Sequence, residues 1–179
     1  MDWIPRITIF HCINALEDME FLNTDNGHPF EIRSVKMPCS GMTKEVYLLK
    51  AFEAGADAVV VRMCPEGECR FVEGNTRARK RIERVRRLLD EIGIQGDRLS
   101  AVSLESGNEA ETLQMILRTV AVVRELGPNP AADPASVSGP TSITKSPDQD
   151  QYELTFAEMK DDCRRAETVC GNQKTRMAV

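Results

Sequence analysis

The feature that most constrains this chain is an alternation of short apolar segments with longer amphipathic ones. The clearest apolar segment is Ala58–Met63, a β-branched run that predicts a buried strand. Arg6–Phe10, Glu31–Met37 and Leu99–Leu104 predict three further strands. Strands separated by helices indicate βαβ units, in which parallel strands are covered by helices. We therefore expect an α/β fold with an open, mainly parallel sheet of about four strands and flanking helices.

Three amphipathic segments predict the helices. The first follows Thr43, a favourable N-cap, and ends before Gly55, which suits a C-terminal cap. The second is predicted for Thr76–Ile92 and the third for Asn108–Leu126. The residues expected to face the sheet are Val46, Leu49 and Phe52 in the first helix, Ala78, Ile82, Val85, Leu89 and Ile92 in the second, and Leu113, Ile116, Leu117, Val120 and Val123 in the third.

The composition changes after the third helix. Residues 1–127 are predicted to form the α/β domain, and residues 128–151 a linker rich in Pro, Ala, Ser and Thr. Residues 152–179 would form a helical tail that packs on the domain or on another subunit. The tail holds Cys163 and Cys170, which are too far apart on one helix for a disulfide and whose role is open.

Charge and hydropathy limit the binding partners and the cellular compartment that we expect for this protein. The net charge of -5 disfavours nucleic acid and anionic membranes as main partners. No apolar run approaches the roughly 18 residues that would cross a bilayer, so an integral membrane protein is not expected. Residues 1–6 lack the layout of a signal peptide. We expect a cytoplasmic protein, in which six cysteines are unlikely to form a disulfide framework.

Four of the cysteines fall at related positions in the predicted fold. Cys12, Cys39 and Cys64 each follow a predicted strand, and Cys69 lies across a Pro/Gly turn from Cys64. The carboxyl ends of parallel strands meet at one edge of a sheet, where open α/β folds bind their ligands. Four thiolates at such an edge suit zinc or an iron–sulfur cluster.

The spacing alone leaves several interpretations open. Structural zinc usually takes its ligands from close cysteine pairs, whereas these thiols are dispersed, which favours a cluster. Unligated thiols in the core remain possible, because free cysteine is among the most buried residue types. A dithiol redox sensor could use Cys64 and Cys69. His11 could replace a thiolate, as imidazole does in Rieske clusters.

Several segments around these cysteines also carry a family resemblance. They are Phe10-His11-Cys12, Cys39-Ser40-Gly41, Leu49–Val59, Cys64–Phe71 and Glu73-Gly74-Asn75. In order and spacing, the chain from about residue 6 to residue 128 resembles the delta subunit family of methyl-viologen-reducing hydrogenases. The chain departs from that pattern at Met42, where the family often has a basic residue, and at Pro65-Glu66 between the thiols.

The resemblance implies a non-catalytic electron-transfer subunit with one [2Fe-2S] cluster. The implied ligands are Cys12, Cys39, Cys64 and Cys69. The implied partners are an electron-input subunit, such as a hydrogenase or formate dehydrogenase, and a heterodisulfide reductase-like flavin/iron–sulfur subunit. No nucleotide-binding loop or catalytic triad argues for catalysis by this chain alone. The basic run Arg77–Arg87 is predicted as a solvated helix face or a docking surface for an acidic subunit.

Overall fold

A parallel sheet organises the protein. The structure, a computed structural model, describes residues 3–15, 30–104 and 109–132. Its strands are β1 (Arg6–Cys12), β2 (Glu31–Met37), β3 (Ala58–Met63) and β4 (Leu99–Ser103), in the spatial order β2-β1-β3-β4. Every neighbouring pair is parallel. The predicted α/β class and the mainly parallel sheet are confirmed.

Three α-helices connect and follow these strands. They are α1 (Glu45–Glu53), α2 (Gly74–Glu91) and α3 (Glu109–Leu126). Short 3-10 turns at Ser40–Met42 and Gly96–Arg98 precede α1 and β4. The crossovers through α1 and α2 both advance along the sheet in the same direction, so right-handed connections put both helices on one face. The two helices also contact each other.

The core has a layer on each face of β3, and every residue of this strand is buried. Its even-numbered residues Ala58 and Val60 join an apolar cluster with α3. Because side chains alternate along a strand, Val59, Val61 and Met63 point to the opposite face. The other members of the cluster are Ile7 and Ile9 of β1 and Met115, Ile116, Val120 and Val123 of α3.

The predicted inward face of the first helix is wrong at Val46, which is exposed. The helix begins at Glu45 after Lys44 as N-cap, and Thr43 instead turns its hydroxyl toward Met37. The face of α1 that packs on the domain is turned by about one position from the predicted stripe of Val46, Leu49 and Phe52. The residues that α1 buries are Tyr47, Leu48, Ala51 and Phe52.

Two further inward positions were predicted wrongly. Ile92 is exposed because it caps α2 after the helix has ended at Glu91. Leu117 is exposed because it lies beyond the edge of the stripe that α3 turns to the sheet, where Met115 and Ile116 are buried. The remaining four predicted contacts of α2, Ala78, Ile82, Val85 and Leu89, are buried.

A buried polar network closes the amino-terminal edge of the sheet. The carboxylate of Asp57 accepts hydrogen bonds from the backbone N–H groups of Arg6 and Asn129, each at 2.8 Å. Arg98 donates to the carbonyl of Gly127 at 2.8 Å, beyond the end of α3. Asn129 is therefore packed on the domain, although the sequence suggested a linker from residue 128.

Other parts of that linker and tail lie outside the described residues. They include residues 133–151, residues 152–179, Cys163 and Cys170, so the proposed domain boundaries stay predictions. In the part of the chain that the structure describes, no helix combines the length and apolar character needed to cross a membrane.

Candidate metal centre

The first pair of thiols lies where the strand order reverses. β1 pairs with β2 on one side and with β3 on the other, so successive connections leave β1 in opposite directions. Such a reversal opens a crevice at the carboxyl ends of the strands. Cys12 is the last residue of β1, and Cys64 directly follows β3. Their sulfur atoms lie 3.7 Å apart, and both side chains are buried.

The second pair is held by two chain turns beside the first. Cys39 is the N-cap of the Ser40–Met42 turn, and its Sγ accepts the backbone N–H of Gly41 at 3.3 Å. Cys69 precedes α2, and its thiol interacts with that of Cys39. Backbone N–H groups at positions 71, 74 and 75 donate to the sulfur of Cys69. The unsatisfied N–H groups that begin a helix are thus aimed at this sulfur.

Two glycines leave room for the second pair of thiols. A Cβ atom on Gly74 would lie 2.3 Å from the Sγ of Cys39 and 3.0 Å from the Sγ of Cys69. A Cβ atom on Gly41 would lie 2.9 Å from the Cα of Gly74. Both positions are too crowded for any side chain. The absence of side chains there lets the sulfurs and the two backbones approach each other.

The four thiols differ in their electrostatic surroundings. Burial raises the pKa of Cys64 to about 12, and the neighbouring thiol of Cys12 adds to the effect. Burial likewise raises the pKa of Cys39 to about 11, against the opposing effect of the Gly41 N–H. Burial also acts to raise the pKa of Cys69, but the backbone N–H groups together outweigh it and lower that pKa. Of these three thiols, Cys69 is therefore the readiest to ionise.

A buried guanidinium accompanies the first pair. Arg62 on β3 is fully buried, and one of its amino groups donates to the carbonyl of Ala15. Burial lowers its pKa, while the thiols of Cys64 and Cys12 act in the opposite direction. Arginine stays protonated in proteins, so this side chain supplies a fixed positive charge next to Cys12 and Cys64.

Two side chains of α2 fix the loops that carry the thiols. Asn75 Nδ2 donates to the carbonyls of Cys64 and Pro65, at 3.3 Å and 2.9 Å. Arg81 Nη1 donates to the carbonyl of Gly41 at 2.6 Å and more weakly to that of Thr43 at 3.2 Å. The helix thus holds both the loop after β3 and the turn after β2.

The structure brings together all four cysteines that the sequence singled out. Among the residues that it describes, no three Cys, His, Asp or Glu side chains stand ready to hold one metal ion; the thiols instead form the two pairs described above. Their role as ligands stays a prediction. His11 precedes Cys12 on β1 and therefore points to the opposite face of the sheet.

Sequence reasoning did not identify the residues that support the thiols. They are Gly41, Arg62, Gly74, Asn75 and Arg81. A Gly-Asn pair at the start of a helix, directly after a cysteine loop, was a usable signal for two of them. Nothing in the local sequence distinguishes Arg62 from other basic residues.

The protein is thus an α/β protein with a parallel sheet, and four buried thiols line a candidate ligand site where the strand order reverses. Residues 7–127 match the family described as methyl-viologen-reducing hydrogenase, delta subunit. This match covers well over half of the chain, which therefore belongs to that family, as its sequence motifs predicted.

Relatives include short iron-sulfur subunits and a much longer protein. An F420-non-reducing hydrogenase vhu iron-sulfur subunit of Methanocaldococcus jannaschii is 38% identical over 103 residues, or 58% of this chain and 77% of the relative. An F420-non-reducing hydrogenase iron-sulfur subunit of Archaeoglobus profundus is 31% identical over 130 residues, or 71% and 94%. A Ferredoxin:CoB-CoM heterodisulfide reductase subunit of Methanosarcina mazei is 30% identical over 101 residues, or 56% of this chain but 13% of that protein.

Proposed function

We propose that this protein is a non-catalytic electron-transfer subunit carrying one [2Fe-2S] cluster on Cys12, Cys39, Cys64 and Cys69. The observation that carries the proposal is the arrangement of the thiols in two pairs at one edge of the sheet. A [2Fe-2S] cluster with four cysteine ligands takes two thiolates on each iron. The pair Cys12 and Cys64 would bind one iron, and the pair Cys39 and Cys69 the other.

The surroundings of the sulfurs fit such a cluster. Backbone N–H groups donate to Cys39 and Cys69, and hydrogen bonds to sulfur are among the factors that tune cluster potentials. The space kept free by Gly74 lies against the second thiol pair, and Gly41 lets the backbone of Gly74 come close. Burial of all four thiols would keep water away from the metal–sulfur bonds.

When bound, the cluster would supply one-electron redox chemistry, and the chain would supply the conditions for it. Cys39 and Cys64 would give up their protons on binding, because thiolates rather than thiols are metal ligands. Asn75 and Arg81 would hold the ligand loops so that little rearrangement accompanies each electron. Arg62 would favour the reduced, more negative form through its buried charge.

The relatives support a place in a larger assembly. Two are named iron-sulfur subunits of F420-non-reducing hydrogenases, and a third belongs to a heterodisulfide reductase. We propose that this chain relays electrons from an input module, such as a hydrogenase or formate dehydrogenase, to a heterodisulfide reductase-type flavin/iron–sulfur subunit. The cytoplasm, which keeps thiols reduced, suits the four free cysteines.

The metal content of anaerobically purified protein tests this function. We expect two irons per chain, with visible charge-transfer bands that dithionite bleaches and an electron paramagnetic resonance signal in the reduced state. A colourless, iron-free protein with one zinc per chain would make it a structural zinc protein instead. A protein with neither metal that cycles a Cys64–Cys69 disulfide would make it a redox sensor.

Cysteine variants test the ligand set. Cys12→Ser and Cys39→Ser should each lose most of the iron, because each removes one of four ligands. Cys163→Ser removes a thiol that we do not place in the site, and it should keep the iron content of the unmodified protein. Full iron content in either of the first two variants would exclude that cysteine as a ligand.

A further inference from the structure

The most exposed of the four thiols is followed by an exposed apolar loop. Cys69 is the most exposed of the four thiols, at 8%. The residues that closely follow it, Phe71 and Val72, are 40% and 82% exposed. Electron tunnelling rates fall steeply with distance, so a redox partner gains most by approaching here. This step rests on the proposed electron-transfer function.

The backbone at the tip of this loop is strained. Val72 has a φ of 61°, in the left-handed region that β-branched residues strongly disfavour. Two backbone hydrogen bonds hold the turn, from the N–H of Val72 to the carbonyl of Cys69 at 2.8 Å and from that of Glu73 to Phe71 at 2.7 Å. Such strain persists at functional sites. A glycine would adopt this conformation freely, but it would not present an apolar side chain to solvent.

A basic stripe continues from this tip along α2. Residues 77–87 contain seven basic side chains and one acidic one, Glu83, in a chain whose net charge is -5. Arg77, Lys80, Arg84 and Arg87 are exposed, and their spacing of three and four residues places them on one side of the helix. Exposed ion pairs of Arg77 with Glu73 and of Arg84 with Glu45 neutralise only part of this charge.

We propose that Phe71, Val72 and this stripe form the docking surface for an acidic redox protein. The two apolar side chains would insert into the partner as the anchor at the centre of the contact, as interface hot spots do. The stripe would meet an acidic surface and orient the partner so that its redox centre faces Cys69. The remainder of the chain is acidic, which opposes a long polyanion such as nucleic acid.

Electron transfer to the cluster-loaded protein tests the proposal. The probe is a small, strongly acidic [2Fe-2S] ferredoxin, reduced with dithionite and mixed with the oxidised protein in a stopped-flow instrument. The rate should fall as salt increases, because opposite charges attract the partners. Lys80→Glu combined with Arg87→Glu should slow the reaction at least tenfold at low salt. Both side chains are exposed on α2.

A matched pair of charge changes provides the control. Arg118→Glu combined with Arg124→Glu changes the net charge equally, on exposed positions of α3. This variant should stay within about twofold of the unmodified protein. Equal slowing by both double variants, or a rate that does not depend on salt, would overturn the proposal. So would tighter binding of duplex DNA or of anionic lipid vesicles than of the ferredoxin.

The apolar tip has its own test. Asparagine tolerates the left-handed conformation, so Val72→Asn removes the apolar side chain while keeping the turn. The variant should react severalfold more slowly with the ferredoxin at high and low salt alike. Reduction by methyl viologen, which needs no docking surface, should be unchanged. An unchanged ferredoxin rate would refute the anchor, whereas an unmodified protein that methyl viologen cannot reduce would refute the proposed function itself.

Discussion

The two edges of the same sheet handle buried polar groups in opposite ways. At the amino-terminal edge, Asp57, Arg98 and Asn129 satisfy one another and the ends of the neighbouring strands and helix. At the carboxyl-terminal edge, four thiols are crowded together with N–H donors and a buried cation around them. The buried polar groups of the first edge already have hydrogen-bond partners within the protein. The second places N–H donors and a buried cation where the thiolates of a bound metal cluster would need them.

Closing the space beside Gly74 should have the largest effect on the second edge. In Gly74→Ala the new Cβ would lie 2.3 Å from the Sγ of Cys39, so that side chain must turn away. We expect most of the iron to be lost while the fold is retained. Iron analysis and far-ultraviolet circular dichroism together measure both.

A glycine of the same loop provides the control for this prediction. Gly67 has a positive φ of 82°, but nothing lies within 4 Å of a Cβ at that position. Gly67→Asn should therefore keep the iron, because asparagine tolerates that conformation. Loss of iron in both variants would mean that the loop, rather than the contact with Cys39, controls loading.

At the amino-terminal edge of the sheet, a substitution should lower stability and leave the iron content unchanged. Asp57→Ala removes the acceptor of the backbone N–H groups of Arg6 and Asn129, and a negative charge that offsets the effect of burial on the pKa of Arg98. A buried donor left without an acceptor costs about 1–3 kcal/mol. We expect a loss of that order in the free energy of unfolding in urea, with unchanged iron per folded chain.

An exposed carboxylate provides the control for that stability measurement. Asp97 pairs with Arg86 at 3.0 Å, but its side chain is 73% exposed. Asp97→Ala should change the free energy of unfolding by less than about 1 kcal/mol, since exposed ion pairs contribute little. If the two variants were equally destabilised, the buried network would not be the special feature of this edge.

These differences also show how far the sequence could lead. Cys12, Cys39 and Cys64 could be placed at one edge because each lies at or just after the end of a strand, and parallel strands end together. The need for glycine at position 74 could not be predicted, because it comes from a sulfur on a different element. Likewise, Val46 was assigned inward because the sequence pattern fits a stripe with Leu49 and Phe52, whereas the packing of α1 on the domain decides which face is buried.

The charge of Arg62 should affect the reduction potential of the bound cluster more than the stability of the fold. Its guanidinium is buried next to Cys12 and Cys64, where solvent screens it little. Arg62→Gln should lower the midpoint potential by on the order of 59 mV, a tenfold change in a one-electron equilibrium. Dye-mediated titration measures the shift, and Arg62→Lys should restore part of it by restoring the charge.

An exposed arginine tests whether burial is the reason for the effect of Arg62 on the midpoint potential. Arg79 pairs with Glu66 at 3.4 Å, but its side chain is 52% exposed. Arg79→Gln removes the same charge from a position where water and salt screen it, so its shift should be several times smaller. Equal shifts would show that the total charge of the protein, and not the placement of Arg62, sets the potential.

The last expected effect, which is absent near neutral pH, is a pH dependence of the stability of the metal-free protein. The raised pKa values of Cys39 and Cys64, about 11 and about 12, favour the thiol in the folded state. Thiols in the unfolded chain ionise near pH 9.0, so the stability from these two groups is present below that pH. It should be lost as the pH rises toward 11 and 12.

Cys69 should behave in the opposite way. Its pKa is lowered, so its thiolate stabilises the fold above the unfolded pKa, and that contribution is lost as the pH falls through the folded value. Thiolate absorbance in the ultraviolet should include an early ionisation that Cys69→Ser removes and Cys64→Ser leaves in place. If Cys64→Ser removed it instead, the N–H groups that begin α2 would not be what distinguishes the two thiols of this loop. A bound cluster keeps all four sulfurs deprotonated, so the whole pH dependence should disappear in the loaded protein, while the contribution of Asp57 and Arg98 to stability should remain.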